Sequence, residues 1–480
     1  MRDKATDAPD VVLLHSNDIH SRLEQAAKMA AYIEETRRIY GAEHVLTLDI
    51  GDHMDRMRVE TEASDGLANI DMLNAAGYEV VTIGNNEGLT FTSEQLTEAY
   101  GTRAAFKTIC ANFYQLEDGK RPSWLLPNTI VNKGKLRIGL TGVTAAFAEF
   151  YKLLGWDATD PLQAVAEQVA ILRSQVDVVV IMSHVGITLD RKMAAEIAGI
   201  DLILGGHTHH LFEEPEVIGE TSLCAAGKFG EYIGHVEIRM ESTTNRPIFR
   251  AKCVPMEARS QQPQATALIS GFKADSRQRL SRVITVLDEP MPASSEHETS
   301  LANLLAAGLR RKADAEIGIV NTGQLLSGLA AGEVTTGDLH ALCPSPINPC
   351  RMKLTGTEIR LSLEEALQRE YVDKPIRGFG FRGLVLGTLA VDGLEIHYSP
   401  ERPNYNRISS IAVNGHPLQE DGVYIVGTID MFTFGVGYEK IKYGTDVTYY
   451  LPEFIRDVLE QELLDKAAIA DSYRQRWIED

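Results

Sequence analysis

The chain is poor in cysteine, with five in 480 residues, at positions 110, 224, 253, 343 and 350. So sparse and odd a set cannot build a disulfide scaffold and fits a reducing compartment. The thiols are therefore expected to be free, including Cys343 and Cys350, which lie close together in a Pro-rich segment. Long apolar runs are also missing. None approaches the roughly 18 residues of a membrane span, so no membrane association is expected. The opening residues, MRDKATDAPDVVLLHSND, show no basic stretch leading into an apolar core, so no secretory leader is expected, and the expected location is cytoplasmic. Basic side chains are outnumbered, 47 Lys and Arg against 67 Asp and Glu, a net charge of −20. Polymeric nucleic acid is thereby excluded as a partner, because phosphate contacts need clustered cations. A small phosphorylated substrate is not, since a bound cation can reverse the field inside a pocket. The chain carries no internal repeat and no low-complexity tract.

What is present is a length that calls for two domains. The first half repeats one pattern, a β-branched or apolar run that stops abruptly in polar residues and glycine. The runs are VVLLHSND (11–18), VLTLDIGD (45–52), EVVTIGNN (79–86), VDVVVIMSH (176–184) and IDLILGGH (200–207). Such runs read as strands buried on both faces. Between them, 21–40 and 160–175 have helical spacing, with Leu162, Val165, Val169 and Leu172 on one face. The result is an α/β layered domain over 1–256. A polar and then helical stretch, 257–285, reads as a linker helix. From 286 to 480, amphipathic helices, strands and Gly-rich turns read as a second, α+β domain.

Every strand in the first half ends in a residue able to bind a metal: Asp18 with His20, Asp52, Asn85, His184, and His207 with His209. Ligands of layered α/β folds collect outside the carboxyl ends of the strands. A single His or Asp there is more often a cap or a solvated loop residue, and His15, His44, His210 and His235 are left in that class. The joint pattern is harder to dismiss, with D-x-H and H-x-H spacings expected to send both side chains to the same side of an extended backbone. Seven O and N donors suit two divalent transition ions, among Mn, Zn, Fe, Co and Ni, better than Mg or Ca. Two metals roughly 3.5–4 Å apart clamp the attacking and leaving oxygens of an in-line displacement. Asp52 is the expected bridging carboxylate, offsetting the repulsion of the cations. An open position would take water, whose pKa falls on coordination.

These residues resemble the calcineurin-like metallophosphoesterases. The series D-x-H, G-D-x-x-D-R, G-N-H-E, H, G-H-x-H appears as DIH (18–20), GDHMDR (51–56), GNNE (84–87), SH (183–184) and GHTH (206–209). With a second domain following, the chain resembles the bacterial 5'-nucleotidase/UDP-sugar hydrolase branch over nearly its whole length. The resemblance implies a four-layer αββα sandwich and a C-terminal nucleotidase domain. It implies one metal held by Asp18, His20, Asp52 and His209, and another by Asp52, Asn85, His184 and His207. Arg56 would meet a phosphate oxygen, the alternative being an ion pair with Asp55 or Glu87. The implied activity is hydrolysis of a nucleoside 5'-monophosphate. The alternatives are a phosphodiesterase or pyrophosphatase acting on cyclic nucleotides or sugar nucleotides, and a non-catalytic nucleotide-binding relative. A monomer or small homo-oligomer is expected.

Three departures from the family pattern bear on that activity. Asn86 stands where a catalytic His is usual, and an amide cannot transfer a proton. An Asp that often follows is replaced by Leu89. In the second domain the N-G-G-G-I-R segment reads NTGQLL (321–326), with Leu326 in place of Arg, and G-G-D-G-[FY] reads FGVGY (434–438), with Val436 in place of Asp. Phe379, Phe381, Phe432, Phe434 and Tyr438 remain as candidates to stack a base, with Arg377 and Arg382 as substitute cations. The alternative is that these aromatics belong to the core.

Overall fold

The computed structural model describes residues 8–480, so the reading of the N-terminus falls partly on residues 1–7, which lie outside the described residues. Two compact units divide at Ser276/Arg277, inside the helix Pro263–Arg279.

In the first unit, alternation along each strand sends successive side chains to opposite faces, and both faces are apolar. Val11 and Leu13 point one way, Val12 and Leu14 the other, and all four are fully buried. A seven-stranded sheet carries Val11–Ser16, Val45–Asp49 and Val80–Val81 side by side and parallel. A six-stranded sheet carries Leu136–Thr144, Val178–His184 and Leu202–Gly205, also parallel. One core cluster joins the facing sides of the two sheets, through Val11, Leu13, Leu46 and Leu48 against Ile138, Leu140, Val180 and Met182. The outer face of the first sheet packs on the helices Leu23–Tyr40 and Leu67–Ala76. The outer face of the second packs on Pro161–Leu172 and Ile187–Glu196. Helix, sheet, sheet and helix make the four-layer αββα sandwich expected from the sequence. The parallel strands bring their carboxyl ends together, and the loops at those ends carry the candidate ligands.

The second unit is β-rich. A five-stranded sheet runs in the order Leu389–Asp392, Ile317–Asn321, Val423–Ile429, Pro349–Thr355, Thr445–Tyr449. A four-stranded sheet includes Leu394–Tyr398 and Trp477–Glu479, paired in parallel. Strand Val283–Leu287 pairs with Gly332–Thr335 and so belongs to this unit. The helix Ser300–Lys312, capped by Thr299, packs against the larger sheet. All five cysteines are unbridged, and only Cys253 is not fully buried. Among the described residues, no helix is long and apolar enough to cross a membrane.

Candidate metal centre

Five of the seven donors sit in strained chain reversals, while His184 closes the strand Val178–His184 and Asn85 opens a helix. Asp18, His20, Asp52, His207 and His209 all have φ between 46° and 71°. The expected extended D-x-H and H-x-H segments are therefore not extended. Their side chains converge because each reversal turns through the left-handed region, which Asp and His tolerate better than most residues. Strand 79–86 is likewise shorter than expected. It spans only Val80–Val81, and Asn85 opens a short helix, Asn85–Thr90. Gly84 is required just before it, because a Cβ there would lie 2.1 Å from Asp52 Oδ1.

All seven donors meet in one cluster. His209 Nε2 lies 3.4 Å from Asp18 Oδ1, and His20 Nε2 lies 3.9 Å from the same oxygen. The two imidazoles meet each other at 3.2 Å through Nε2. On the other side, His184 Nε2 is 3.3 Å from Asp52 Oδ1 and 3.9 Å from Asp18 Oδ1. His207 Nδ1 lies 2.7 Å from Asn85 Oδ1, and its ring centre is 5.4 Å from that of His184. Asp18, His20 and His209 form one metal-capable triad; Asp18, Asp52 and His184 form the other. The carboxylate common to both is Asp18. Asp52, expected between the ions, sits in the second triad and acts on His20 through its charge.

The donors fit divalent cations on the evidence of one buried nitrogen. His184 Nδ1 is held by the Ile50 carbonyl at 2.8 Å, which fixes one proton there and makes Nε2 the nitrogen that takes up either a second proton or a cation. That Nε2 is buried without a hydrogen-bond partner and faces two carboxylates. Lone pair against anions is repulsive unless a cation stands among them. The electrostatics agree. Burial opposes a charged imidazole at His184, yet the Asp52 and Asp18 carboxylates push its pKa up to about 10, so Nε2 takes a proton unless a cation stands in its place, and the cluster calls for positive charge either way. Burial opposes ionisation of Asp18 and Asp52 too, but the surrounding imidazoles hold both below the ordinary carboxylate range. Burial and the charge of His184 lower His207 to about 4, and burial lowers His20, keeping both neutral as ligands must be.

Buried carboxylates behind the ligands set their positions. Glu87 accepts the backbone N–H groups of Asp52 at 3.0 Å, Gly84 at 2.8 Å and Met54 at 2.9 Å. It thus ties the loop bearing Asp52 to the loop bearing Asn85. Burial and then the Asp52 charge push its pKa up to about 7. Asp49 accepts from Ser16 Oγ at 2.6 Å and from the Gly51 amide at 3.1 Å. Asp190 accepts from Ser183 Oγ at 2.5 Å, beside His184. None of these three was among the expected site residues. The glutamate is visible in GNNE, but nothing in sequence separates a carboxylate that gathers amides from a solvated one.

Two expected catalytic residues are already engaged. Arg56 donates through Nε to Glu62 at 2.7 Å and through a terminal nitrogen to the Thr90 carbonyl at 2.9 Å, with its guanidinium over Phe91 at 5.1 Å. It links two loops through Glu62 and Thr90, with Asp65 Oδ1 3.9 Å from its other terminal nitrogen. Asn86 donates through Nδ2 to His20 Nδ1 at 2.9 Å and to the Met54 carbonyl at 3.1 Å, and through its backbone to Asp52 Oδ1 at 2.8 Å. His15, His44, His210 and His235 take part in neither triad.

The expected substrate residues of the second unit separate by burial. Phe381, Phe432 and Tyr438 lie in its core and offer no face to a ligand, which corrects their assignment. Tyr438 stacks on Tyr371 at 5.8 Å and donates to the Gly387 carbonyl. Phe434 is 43% exposed and stacks at 5.8 Å on Phe379, which is 55% exposed. Phe379 has a φ of 54° between two glycines that also turn through positive φ, and that backbone turns it outward while Phe381 turns in. Arg377 is exposed, Arg382 half-buried, and Leu326 exposed.

Residues 11–211 match the calcineurin-like phosphoesterase family, and residues 283–442 match the 5'-nucleotidase C-terminal domain family. The chain is 35% identical to the uncharacterized metallophosphoesterase YunD of Bacillus subtilis (strain 168), over 94% of this chain and 98% of that protein. It is 22% identical to the 5'-nucleotidase of Bos taurus, over 90% and 84% of the two chains. Among solved structures, a 5'-nucleotidase precursor from Thermus thermophilus shares the fold with a TM-score of 0.61, at 20% identity, over 98% and 99% of the chains.

Proposed function

We propose, for a chain that belongs to the 5'-nucleotidase family of metallophosphoesterases, that it hydrolyses nucleoside 5'-monophosphates with the help of two divalent transition ions. The observation that carries the metal part is the orphaned His184 Nε2 aimed at Asp18 and Asp52. Asp18, His20 and His209 would hold one ion, and Asp18, Asp52 and His184 the second, with Asn85 and His207 completing its shell. When bound, such a pair supplies an activated water and offsets the charge of the phosphoryl oxygens. The chain's own residues do the rest. The carboxylates and neutral imidazoles preorganise the centre, and Glu87 holds two of its loops in register. Asn86 can donate a hydrogen bond to an oxygen but cannot hand over a proton. The exposed Phe379–Phe434 pair supports the nucleoside part of the reading, since an aromatic face stacks any base.

The amide at 86 also favours a second reading, cleavage of a pyrophosphate such as a sugar nucleotide, whose phosphate leaving group departs with less acid assistance than an alkoxide. A substrate panel on protein loaded with Mn, Zn or Co separates the two. AMP is expected to release phosphate faster than cyclic 2',3'-AMP or UDP-glucose. Stacking is worth about 1–3 kcal/mol per base, so Phe434→Ala should raise KM for AMP by about 5- to 150-fold and leave glycerol phosphate unchanged. Nucleotide binding with metal retained, but no turnover of any ester, would instead make the chain a non-catalytic binder.

A further inference from the structure

One aromatic ring beside the metal centre carries two cations that the proposed hydrolysis leaves without a role. Phe229 lies against two ligand imidazoles, its centroid 5.6 Å from that of His20 and 6.3 Å from that of His209. The Arg22 guanidinium stands 4.9 Å from the same centroid, and Lys228 Nζ 4.7 Å. Both side chains are half-buried, so each keeps access to solvent. Among the described residues neither is in an ion pair or a side-chain hydrogen bond, in a chain of net charge −20. Glu24, two positions from Arg22, is taken by Arg58 and Lys273. The backbone fixes this arrangement. The Phe229 amide donates to the Asp18 carbonyl at 2.7 Å, Asn17 Nδ2 donates to the Gly227 carbonyl at 2.7 Å, and the Ala226 amide donates to Asn17 Oδ1 at 3.1 Å. Phe229 takes a φ of 57° in doing so, which a bulky side chain tolerates poorly. The loop that carries Lys228 is thereby locked to the loop that carries Asp18, His20 and Arg22.

We infer that Arg22 and Lys228 bind the substrate's phosphate on the His20/His209 side of the centre and select a doubly charged monoester over a singly charged diester. The identity of the ester rests on the proposed hydrolysis; the demand for an anion does not. Two like charges on one ring repel each other, and a cation held by Asp18, His20 and His209 would repel both. A dianion seated among them removes that cost, whereas a neutral ligand leaves it in place. The donor types suit phosphate oxygens. Arg22 offers a planar fork of N–H groups, and Lys228 a compact charge with three donors. Their contact with Phe229 restrains two long side chains before the ligand arrives, so less rotamer freedom is lost on binding. A phosphomonoester carries nearly two charges at neutral pH and a diester one, so the pair discriminates by charge.

The test reads binding rather than turnover. Full-length protein loaded with Mn is titrated in a calorimeter at about pH 8 with a non-hydrolysable AMP in which a methylene group replaces the bridging oxygen, with the singly charged methyl ester of that phosphonate, and with adenosine. Replacing both cations, Arg22→Gln with Lys228→Gln, should weaken the doubly charged ligand by about tenfold or more, since hydrogen bonds to charged groups are the strong ones. The methyl ester should lose less and adenosine nothing, with metal content and melting temperature unchanged. The charge-keeping pair, Arg22→Lys with Lys228→Arg, should recover most of the loss. If the double Gln variant does not fold, Lys228→Gln alone decides by the same comparison. A parent that hydrolyses no ester yet shows this charge-graded loss refutes the proposed hydrolysis and supports the two cations. No loss for the phosphonate, or an equal loss for all three ligands, overturns the inference.

Discussion

Restoring an imidazole at position 86 tests how this centre manages its leaving group. The Asn86 amide nitrogen sits 2.9 Å from His20 Nδ1 and 3.1 Å from the Met54 carbonyl, at the edge of the metal cluster. A histidine at the same Cβ places a ring nitrogen at nearly the reach of that amide nitrogen, now carrying a transferable proton. Positioned acid catalysis contributes typically 10²- to 10⁴-fold, which is about 2.7–5.5 kcal/mol of barrier. Against this, Asn86→His gives up two side-chain hydrogen bonds of about 1 kcal/mol each, a stability loss the fold can absorb. The gain should fall unevenly. A nucleoside alkoxide needs a proton as it leaves, and a nitrophenolate does not. Hence kcat/KM for AMP should rise by about 10²- to 10⁴-fold while p-nitrophenyl phosphate changes little. The pH profile for AMP should gain a limb that falls as pH rises through the imidazole range, about 6.5. The assay is phosphate release across a series of leaving groups at fixed metal loading. Equal gains on both esters, or no gain on AMP with metal content unchanged, would refute the reasoning.

Glu87→Gln keeps the side chain's size but turns one of its two acceptor oxygens into an NH2 group, which cannot accept from the backbone amides of Asp52 and Gly84 on one side or of Met54 on the other. Outer-shell changes of this kind cost about 10- to 100-fold in metal affinity or activity, measurable by metal titration and initial rates. Arg56→Ala should lower stability by about 1–3 kcal/mol, through loss of its charged hydrogen bonds to Glu62 and Thr90, with KM for AMP unmoved. A raised KM with an unchanged melting temperature would return Arg56 to the phosphate. Asp430 is buried in the second unit with Oδ1 unpartnered, and burial pushes its pKa from 3.8 up to about 7. Its protonated form is the one the fold favours, so its stabilising contribution is full below about 3.8 and is lost as pH rises through about 7, up to about 4 kcal/mol in all. Asp430→Asn should therefore gain on the parent between pH 4 and pH 8 in thermal melts, and a pH-independent difference would contradict the assignment.

The layered fold and the seven donors were legible because each is dictated at short range. A strand buried on both faces must be apolar throughout, and a chain reversal beside metals must present Asp, Asn or His. Asp18, His20, Asp52, Asn85, His184, His207 and His209 are recoverable from residue type at the ends of apolar runs. The backbone by which they converge was not, since nothing in D-x-H distinguishes an extended strand end from a pair of left-handed turns. The second unit was harder for a related reason. In RGFGFRG, Phe379 and Phe381 have similar neighbours, and only the positive-φ glycines beside them decide that one turns outward and the other into the core. The contacts of Arg56 with Glu62 and Thr90 were not legible, because tertiary packing sets them.

The strain at the metal centre and the buried acids behind it are two sides of one arrangement. Five ligands in the left-handed region cost on the order of 1–3 kcal/mol each, and such conformations persist only where the surroundings over-determine them. Here the surroundings are carboxylates. Glu87 takes three amides, Asp49 takes Gly51, and Asp18 itself accepts the His207 amide at 3.0 Å. Each of these bonds fixes a reversal that would otherwise relax, and each adds negative charge to an interior that already holds Asp52. Burial answers part of that charge by raising Asp49 and Glu87 toward their neutral forms. The rest, on Asp18 and Asp52, stays ionised and is focused on Nε2 of His184, which holds a proton unless a cation takes its place. A fold that anchors its strained turns with carboxylates therefore creates a field that favours cations among them, so the geometry of the donors and the demand for positive charge arise from the same residues.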